Sequence, residues 1–190
     1  EEPEIALPPH SQRRLTRYLL KKMDQAIVTS HSQHVIDEFD VTQILAINRD
    51  EKHHLSNTAI PTKGIKFKAV RQRKLQLAEA ILARGIIVAE GATEVATLNA
   101  TSRALEALTP ENAYDPFDLT GISIFEAGAH GEIPKWAPVF GSLRKAFFAF
   151  HDRPKKDWTS EQAANLALYS ENCQTGYRGV EALLVGEVAI

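Results

Sequence analysis

Cysteine is nearly absent from this 190-residue sequence, and its single cysteine, Cys173, cannot form an internal disulfide. Such a composition is typical of proteins from the reducing cytoplasm. No apolar run reaches the ~18 residues that a membrane-spanning helix needs. The first residues also lack the basic-then-apolar order of a secretion signal. We therefore expect a cytoplasmic protein with no membrane partner.

Neither sign of charge is in large excess. Lys and Arg number 22 against 24 Asp and Glu, which gives a net charge of −2. This balance argues against a histone-like or polybasic binder, but an acidic catalytic site can offset a basic groove in a nucleic-acid enzyme. The chain starts on EEPE and stops on LLVGEVAI, an apolar stretch with no helix cap, and we interpret it as a piece of a longer protein.

From residue 85 onwards, short apolar runs alternate with segments of helical periodicity. This order predicts an α/β fold with a parallel sheet and right-handed crossovers. The predicted strands cover 86–90, 121–127 and 145–150, with helices over 93–108 and from Thr159 to about Cys173, and a helix or turn over 132–144. Earlier in the chain, the pattern predicts a helix over 9–22, strands over 25–30 and 42–50, an exposed connection over 51–68 and a helix over 71–84.

Acidic side chains follow the predicted parallel strands. Glu90 ends the first strand, Glu94 comes four residues later after Gly91, and Asp152 ends the third strand. Ligands in such sheets bind at the carboxyl ends of the strands. Three carboxylates meeting at one edge repel each other unless cations bind between them, and oxygen-only ligands suit Mg²⁺ or Mn²⁺. The sequence therefore predicts a divalent-metal site at this edge.

Each of these acids also has an ordinary structural interpretation. A glutamate in the first turn of a helix, such as Glu94, interacts favourably with the helix dipole. An aspartate after a strand, such as Asp152, is often only a turn former. Their joint position at strand ends favours the metal site over these separate explanations.

Two motifs resemble those of the Toprim fold: IIVAEGATEV (86–95), an apolar strand followed by Glu-Gly and a second acid, and FFAFHD (147–152), the strand that carries the later Asp motif. The resemblance implies a Rossmann-like parallel sheet flanked by helices, with Glu90, Glu94 and Asp152 as catalytic residues that hold two metal ions. The usual Asp-x-Asp is here Asp152-Arg153-Pro154, so the second acid is missing. Either Asp157 or Glu181 replaces it, or one metal site is weak; we name Glu181 as the metal ligand.

The first forty residues resemble the second half of an ABC-type ATPase head. The segments that carry the resemblance are EEPEIALPPHSQRRLTRYL (1–19) and QAIVTSHSQHVIDEF (25–39). It implies that Glu1 and Glu2 end the Walker B strand, that Glu2 is the base for ATP hydrolysis, and that His31 senses the γ-phosphate. Since the sequence contains no G-x-x-x-x-G-K-[ST] phosphate loop, it does not form a complete ATPase by itself.

An ABC-type head followed directly by a Toprim domain is the layout of the overcoming-lysogenization-defect (OLD) family of nucleases. On this resemblance we divide the chain into part of the ATPase head (1–55), a connector and helix (56–84) and the Toprim catalytic domain (85–190). The family resemblance implies an ATPase–nuclease that uses ATP, forms a homodimer through its head and acts on DNA. Members that lie beside a partner helicase act in phage defence.

Basic residues flank the proposed metal site on both sides, and such residues bind phosphates without sequence specificity. We name Arg71, Lys74, Arg153 and Lys155 as DNA-binding candidates and Lys156 as a catalytic cation that steadies developing phosphate charge. A solvated helix face is the competing interpretation of these charges. The wider basic stretches comprise Lys63, Lys66, Lys68, Arg71, Arg73 and Lys74 before the Toprim unit, and Arg144, Lys145, Arg153, Lys155 and Lys156 around Asp152.

The sequence therefore predicts a metal-dependent DNA endonuclease or nickase domain that hydrolyses phosphodiester bonds by a two-metal mechanism. The missing second acid favours an alternative, an ATP-gated DNA-binding module whose Toprim unit is not catalytic. A strand-passing topoisomerase or primase is the weakest interpretation, because the four tyrosines show no strand-cleaving arrangement and no zinc module precedes the fold.

Overall fold

The segment up to residue 60 forms two helices and an antiparallel hairpin. The computed structural model describes residues 2, 4–49, 52–62, 64–110, 113–154 and 156–187. Strand β1 pairs with β2 from Leu45 opposite Ala59 to Arg49 opposite Leu55. The elements are α1 (Pro9–Lys22), α2 (Gln33–Ile36), β1 (Leu45–Arg49) and β2 (Leu55–Ala59). The predicted helix over 9–22 and the core of the predicted strand over 42–50 are confirmed.

Two expectations for this segment are wrong. Residues 25–30 form no strand, because no strand in the described part of the chain lies beside them to complete a ladder, and Ile27 is 90% exposed. The connection expected over 51–68 contains β2 instead. Its sequence, Leu-Ser-Asn-Thr-Ala, has one large apolar residue and mostly exposed side chains, so pairing with β1 makes it a strand.

Two short helices lead into the parallel sheet. These are α3 (Phe67–Gln72) and α4 (Lys74–Leu82), and Arg73 separates them. The helix predicted over 71–84 is therefore interrupted near its start. On α4, Leu77, Ala78 and Ala80 are buried, so this helix packs its apolar face against the sheet that follows.

A four-stranded parallel sheet carries the second half of the chain, in the spatial order β4-β3-β5-β6. In the register, Ala89 lies opposite both Glu126 and Phe150, so three strands end at the same level. The elements are β3 (Gly85–Ala89), α5 (Ala92–Leu108), α6 (Phe117–Thr120), β4 (Ile122–Glu126), α7 (Ile133–Ser142), β5 (Ala146–His151), α8 (Ser160–Leu166), β6 (Glu171–Gln174) and α9 (Val180–Glu187). The predicted α/β fold, a Rossmann-like parallel sheet flanked by helices, is confirmed.

The helix expected from Thr159 to Cys173 is too long. Thr159 does cap α8 through a capping box with Gln162, but the helix ends at Leu166 and residues 171–174 form the edge strand β6. Ser170 begins this pairing, since its N–H donates to the carbonyl of Phe147 at 2.8 Å. All four residues of β6 are exposed and three are polar, so no apolar alternation marks the strand.

The hydrophobic core lies between the parallel sheet and its helices. Trp136 and Phe140 of α7 are fully buried against Phe125 of β4, with edge-to-face ring centroids 4.6 and 5.0 Å from Phe125. The same cluster of buried residues extends from Val41, before the hairpin, to Tyr169, before β6. The amino-terminal segment therefore packs onto the core that supports the sheet.

Candidate metal and nucleic-acid site

Backbone pairing continues beyond the strands and fixes the loops at the carboxyl edge. After β3 and β4, the N–H of Gly128 donates to the carbonyl of Glu90 at 2.9 Å. After β5 and β6, the N–H of Thr175 donates to the carbonyl of His151 at 2.9 Å. Glu90 and Asp152, the next residue after His151, are therefore held at one edge by the register of the sheet, as the sequence predicted.

The Glu90 carboxylate is held by a histidine that sequence reasoning missed. His130 Nδ1 lies 2.9 Å from Glu90 Oε2, and each side chain is about one quarter exposed. The His130 ring stacks on Trp158 with a centroid distance of 4.3 Å and an interplanar angle of 12°. The only signal in the sequence was that His130 belongs to the loop that follows β4 at this edge. His130 and Trp158 therefore support Glu90 from the side.

Glu94 lies in the first turn of α5 and is only 7% exposed. Burial raises the pKa of Glu94, and the charges of Asp152 and Glu90 raise it further. Hydrogen bonds from the backbone of Glu94 and Gly91 act in the opposite direction. Glu94 therefore lies at the helix amino terminus and also in the field of the other two acids.

Asp152 is the second acid with a perturbed pKa. Burial raises the pKa of Asp152 most, and the charges of Glu90 and Glu181 raise it further. A hydrogen bond from the hydroxyl of Thr175 to Asp152 Oδ1, at 3.1 Å, and the nearby His130 act in the opposite direction. Glu181 lies in the first turn of α9. The connection from β6 to α9 therefore also places a carboxylate near this edge.

The charges of the three acids act on one another, but their side chains do not form a complete set of metal ligands. Among the residues that the structure describes, no three His, Cys, Asp or Glu side chains are grouped closely enough to hold a metal as they stand. Their chemistry nevertheless fits a divalent cation, because Glu90, Glu94 and Asp152 offer only carboxylate oxygens. Burial is the main cause of the raised pKa values of Glu94 and Asp152, and repulsion from the neighbouring acids adds to it. A positive charge would relieve that repulsion.

Only one of the two residues considered as the second acid acts on Asp152. The charge of Glu181 helps to raise the pKa of Asp152, whereas Asp157 makes no such contribution. Asp157 is exposed and lines a neighbouring cleft. Arg153 occupies the chain position next to Asp152, and its backbone N–H donates to the carbonyl of Tyr177 at 2.9 Å.

The basic candidates occupy different places. Arg153 and Lys156 are exposed and line the cleft beside Asp152, whereas Arg71 is exposed at the end of α3. Hydrogen bonds from Thr42 are the main cause of the lowered pKa of Asp40. Lys74 lies near this aspartate, and its charge also helps to lower that pKa. Lys63 and Lys155 lie outside the described residues.

Lys145, included in the basic stretch around Asp152, has a structural position instead. Its Nζ donates to the carbonyls of Ile81 and Ala83 at the end of α4. Burial lowers the pKa of Lys145. The ammonium group therefore satisfies carbonyls at a helix terminus and is not directed toward a nucleic acid.

Arg73 is likewise a structural residue rather than a free cation. Its Nε donates to the carbonyl of Glu126 at 2.6 Å, and its Nη2 lies 3.9 Å from the Glu126 carboxylate. The guanidinium fills the space beside Gly128, where a Cβ would lie 1.5 Å from Nη2. Gly128 also has φ of +91°, a conformation that favours glycine. Arg73 thus joins the α3–α4 junction to the loop that carries His130.

The proposed nucleotide residues of the amino-terminal segment lie near each other. His31 Nε2 is 3.8 Å from Glu2 Oε1, and the side chain of His31 is 86% exposed. Glu4, which the sequence did not single out, accepts hydrogen bonds from Ser30 Oγ at 2.6 Å and from the N–H of His31 at 2.8 Å. Burial alone would raise the pKa of Glu4, but these bonds lower it. Glu1 lies outside the described residues.

A four-stranded parallel α/β sheet with acids at its carboxyl edge is consistent with a Toprim, Rossmann-like fold, and a comparison with protein families supports this class for part of the chain. Residues 81–153 match the family described as "Overcoming lysogenization defect protein-like, TOPRIM domain". The match includes Glu90, Glu94 and Asp152, covers less than half of the chain and leaves out the amino-terminal segment. It indicates a metal-binding function of nuclease or primase type. No curated protein matches the chain.

A membrane location finds no support in the helices. Within the described ranges, no helix combines the length and the apolar character that crossing a bilayer requires.

Replacing Asp152 by asparagine is expected to stabilise the metal-free protein while weakening metal binding. The raised pKa of Asp152 means that its ionised form is less favourable in the folded chain than in the unfolded chain. Asparagine removes this charge and keeps an oxygen for Thr175. Because the group is partly exposed and screened, we expect the melting temperature in EDTA to rise by only about 1–2 °C.

The matched control for this prediction is Asp115→Asn, which removes an exposed carboxylate outside the site. Calorimetric titration with Mn²⁺ supplies the second measurement, with weaker binding expected for Asp152→Asn and unchanged binding for the control. Equal Mn²⁺ affinity in all three proteins would remove Asp152 from the metal site.

Proposed function

We propose that the chain is the nuclease part of an ATPase–nuclease and that it cleaves or nicks DNA with the help of divalent metal ions. One observation carries this proposal: Glu90, Glu94 and Asp152 act on one another electrostatically at the carboxyl ends of β3 and β5. These residues belong to the segment that matches the OLD-like Toprim domain. Repelling carboxylates at the ligand-binding edge of a parallel sheet are the expected arrangement for a cation site.

Glu90, Glu94 and Asp152 would hold the metal, with Glu181 taking the place of the missing second acid. Two Mg²⁺ or Mn²⁺ ions bound there would activate a water molecule and stabilise the leaving oxygen of a phosphodiester. The influence of Glu181 on Asp152 supports its inclusion in the ligand set.

The other residues at this edge would orient the Glu90 carboxylate or bind the nucleic acid. His130 fixes the direction of the Glu90 carboxylate through its Nδ1, and Trp158 fixes the plane of the His130 ring. Lys156 lines the cleft that begins at Arg153, the residue after Asp152, and would stabilise negative charge that develops on the phosphate. Arg153 and Lys155 follow Asp152 in the sequence and would bind the sugar–phosphate backbone without reading bases.

In the intact protein, we assign Glu1, Glu2 and His31 to an ATP site. The 3.8 Å separation of His31 and Glu2, which are far apart in sequence, supports this assignment. Glu4 would keep the His31 loop in place through its hydrogen bonds to Ser30 and to the His31 backbone. The dimer and the helicase partner remain expectations from the family resemblance.

A second candidate function is a DNA-binding module, gated by ATP, whose Toprim domain does not catalyse cleavage. Two observations favour it: Arg153 and Pro154 follow Asp152 where the usual motif has a second acid, and the described acids do not converge into a ready ligand shell. Such a module would bind DNA in the absence of metal and would leave it intact when metal is added.

Cleavage of supercoiled plasmid separates the two candidates. The purified chain, incubated with plasmid and Mg²⁺ or Mn²⁺ without ATP, is expected to produce nicked circles and then linear DNA. A parallel sample in EDTA should remain supercoiled, since the acids alone cannot activate water for this reaction. Binding of the plasmid in a gel-shift assay without any change of its topology in metal would favour the non-catalytic module.

A further inference from the structure

A basic cleft adjoins the acidic edge, and the Toprim motifs do not account for it. Its volume is about 440 Å³, and it opens between the residues that follow β5 and those that follow β6. The two segments are tied together by the backbone hydrogen bond from Arg153 to Tyr177 at 2.9 Å. The lining side chains that bear on its chemistry are Arg153, Lys156, Asp157, Trp158, Gln174 and Arg178.

The charges of this basic cleft are unbalanced. Arg153, Lys156 and Arg178 face a single carboxylate, that of Asp157. All three cations are exposed, and none of them has a side-chain hydrogen bond or an ion pair with another residue in the described part of the chain. Arg17, by contrast, is paired with Glu38 at 2.7 Å. Uncompensated cations that converge on a concave surface favour an anionic ligand.

The position of the basic cleft relates it to the acidic edge. Arg153 follows Asp152 directly, and Trp158 stacks on His130, whose Nδ1 contacts the Glu90 carboxylate. A polyanion bound at the acidic edge would therefore extend into the cleft. One face of the Trp158 ring is already covered by His130 and is closed to a ligand. The three cations are therefore the main contacts for a ligand.

We propose that this cleft binds a backbone phosphate of the nucleic-acid strand next to the scissile phosphate, and that Arg178 is the cation supplied by the β6–α9 segment. The identity of the ligand rests on the proposed function. Arg178, unlike Arg153 and Lys156, belongs to a segment that no sequence motif connected with DNA. Contacts of this kind fix the strand in position and carry no base preference.

Binding of DNA in EDTA tests the cleft without cleavage. The probe is a short, fluorescently labelled single-stranded oligonucleotide, and its affinity for the 190-residue chain is measured by anisotropy at several salt concentrations. Arg178→Ser is expected to weaken binding roughly tenfold at low salt. The slope of log affinity against log salt should fall in magnitude by about 0.7, the value for one lost phosphate contact on a single strand.

Arg103→Ser is the matched control, because it removes the same charge from an exposed position on α5. Arg103 lies eleven residues after Ala92, about 16 Å along the helix axis, so it is distant from the helix end at the site. The proposal requires that Arg103→Ser retain wild-type affinity and salt slope. An equal loss in both variants would show an effect of net charge only and would overturn the proposal.

Two further arms separate the possible failures. If wild type cleaves no plasmid but Arg178→Ser still loses DNA affinity selectively, the cleft is supported and the nuclease proposal fails. If wild type cleaves but Arg178→Ser binds DNA as Arg103→Ser does, the cleft proposal alone fails.

A further measurement tests whether the cleft binds the phosphates of a free nucleotide instead of DNA. ATP is added to each protein in EDTA and its binding is measured. Weaker ATP binding by Arg178→Ser, with unchanged DNA binding, would also overturn the proposal.

Discussion

Glu90→Ala is expected to reduce the rate of metal-dependent DNA cleavage by about a thousandfold or more, the scale of effect for a group that acts directly on the reacting centre. Glu90 directly follows β3 at the carboxyl edge, and its charge helps to raise the pKa of both Glu94 and Asp152. Removing it takes away one of the three carboxylates that would hold the metal. The measurement is the initial rate of plasmid nicking in Mn²⁺ under single-turnover conditions.

Two companion variants identify which property of Glu90 matters. Glu90→Gln keeps the shape and can still hydrogen-bond to His130, but it lacks the charge, so its loss should match that of alanine. His130→Ala keeps the carboxylate but removes its 2.9 Å contact and the ring that stacks on Trp158, so we expect a smaller loss of about tenfold. If Glu90→Gln were as active as wild type, the carboxylate would not be a metal ligand.

The control for loss of an acid elsewhere is Glu106→Ala, which lies exposed on α5. It should cleave as wild type does. Full activity in Glu90→Ala as well would exclude the acidic edge as the catalytic centre and would favour the DNA-binding module. Retained DNA binding in EDTA by Glu90→Ala is needed to show that the variant is folded and that the loss concerns chemistry.

The sequence predicted the centre of the fold because its strands carry their own signal. β3 is buried on both faces, so Ile86, Ile87 and Val88 form a continuous apolar run that ends sharply at Glu90. The topology rule for parallel sheets then places Glu90 and Asp152 at one edge without any knowledge of side-chain contacts. The alignment of Ala89 with Phe150 in the register accords with that inference.

The edge strands β2 and β6 could not be predicted in the same way. Their side chains are largely exposed, so neither strand shows an apolar pattern, and each is a strand because a neighbour supplies its hydrogen bonds. The converse holds for residues 25–30, whose apolar Ala, Ile and Val favoured a strand although no strand of the described structure pairs with them. Pairing of this kind depends on tertiary placement rather than on local composition.

The supporting residues of the site were missed for a related reason. His130 is forty positions from Glu90 in the chain, and Arg73 is fifty-three positions from Glu126. No local pattern connects residues at such separations. In the sequence, Arg73 is one of several basic residues in a row, and only the structure distinguishes it as the one whose side chain is engaged with the loop after β4.

Gly128→Ala is expected to lower the free energy of unfolding by about 2.5–5 kcal/mol, a drop in melting temperature of roughly 10 °C for a chain of this size. Two physical effects combine. A Cβ at φ of +91° is strained, by about 1–2 kcal/mol. The same Cβ would lie 1.5 Å from Arg73 Nη2 and would displace the guanidinium from the Glu126 carbonyl, a charge-assisted hydrogen bond of about 1.5–3 kcal/mol. Urea unfolding followed by circular dichroism measures the loss.

A double-mutant cycle separates these two effects, because only the second one requires Arg73. In an Arg73→Ala background, Gly128→Ala should cost only the backbone strain, about 1–2 kcal/mol. Gly131→Ala is the control in the same loop, since no atom lies within 4 Å of a Cβ there, and it should be nearly neutral. Identical costs of Gly128→Ala with and without Arg73 would mean that the guanidinium does not hold this loop. A selective coupling, by contrast, would make the α3–α4 junction the support on which the loop of His130, and through it the Glu90 carboxylate, depends.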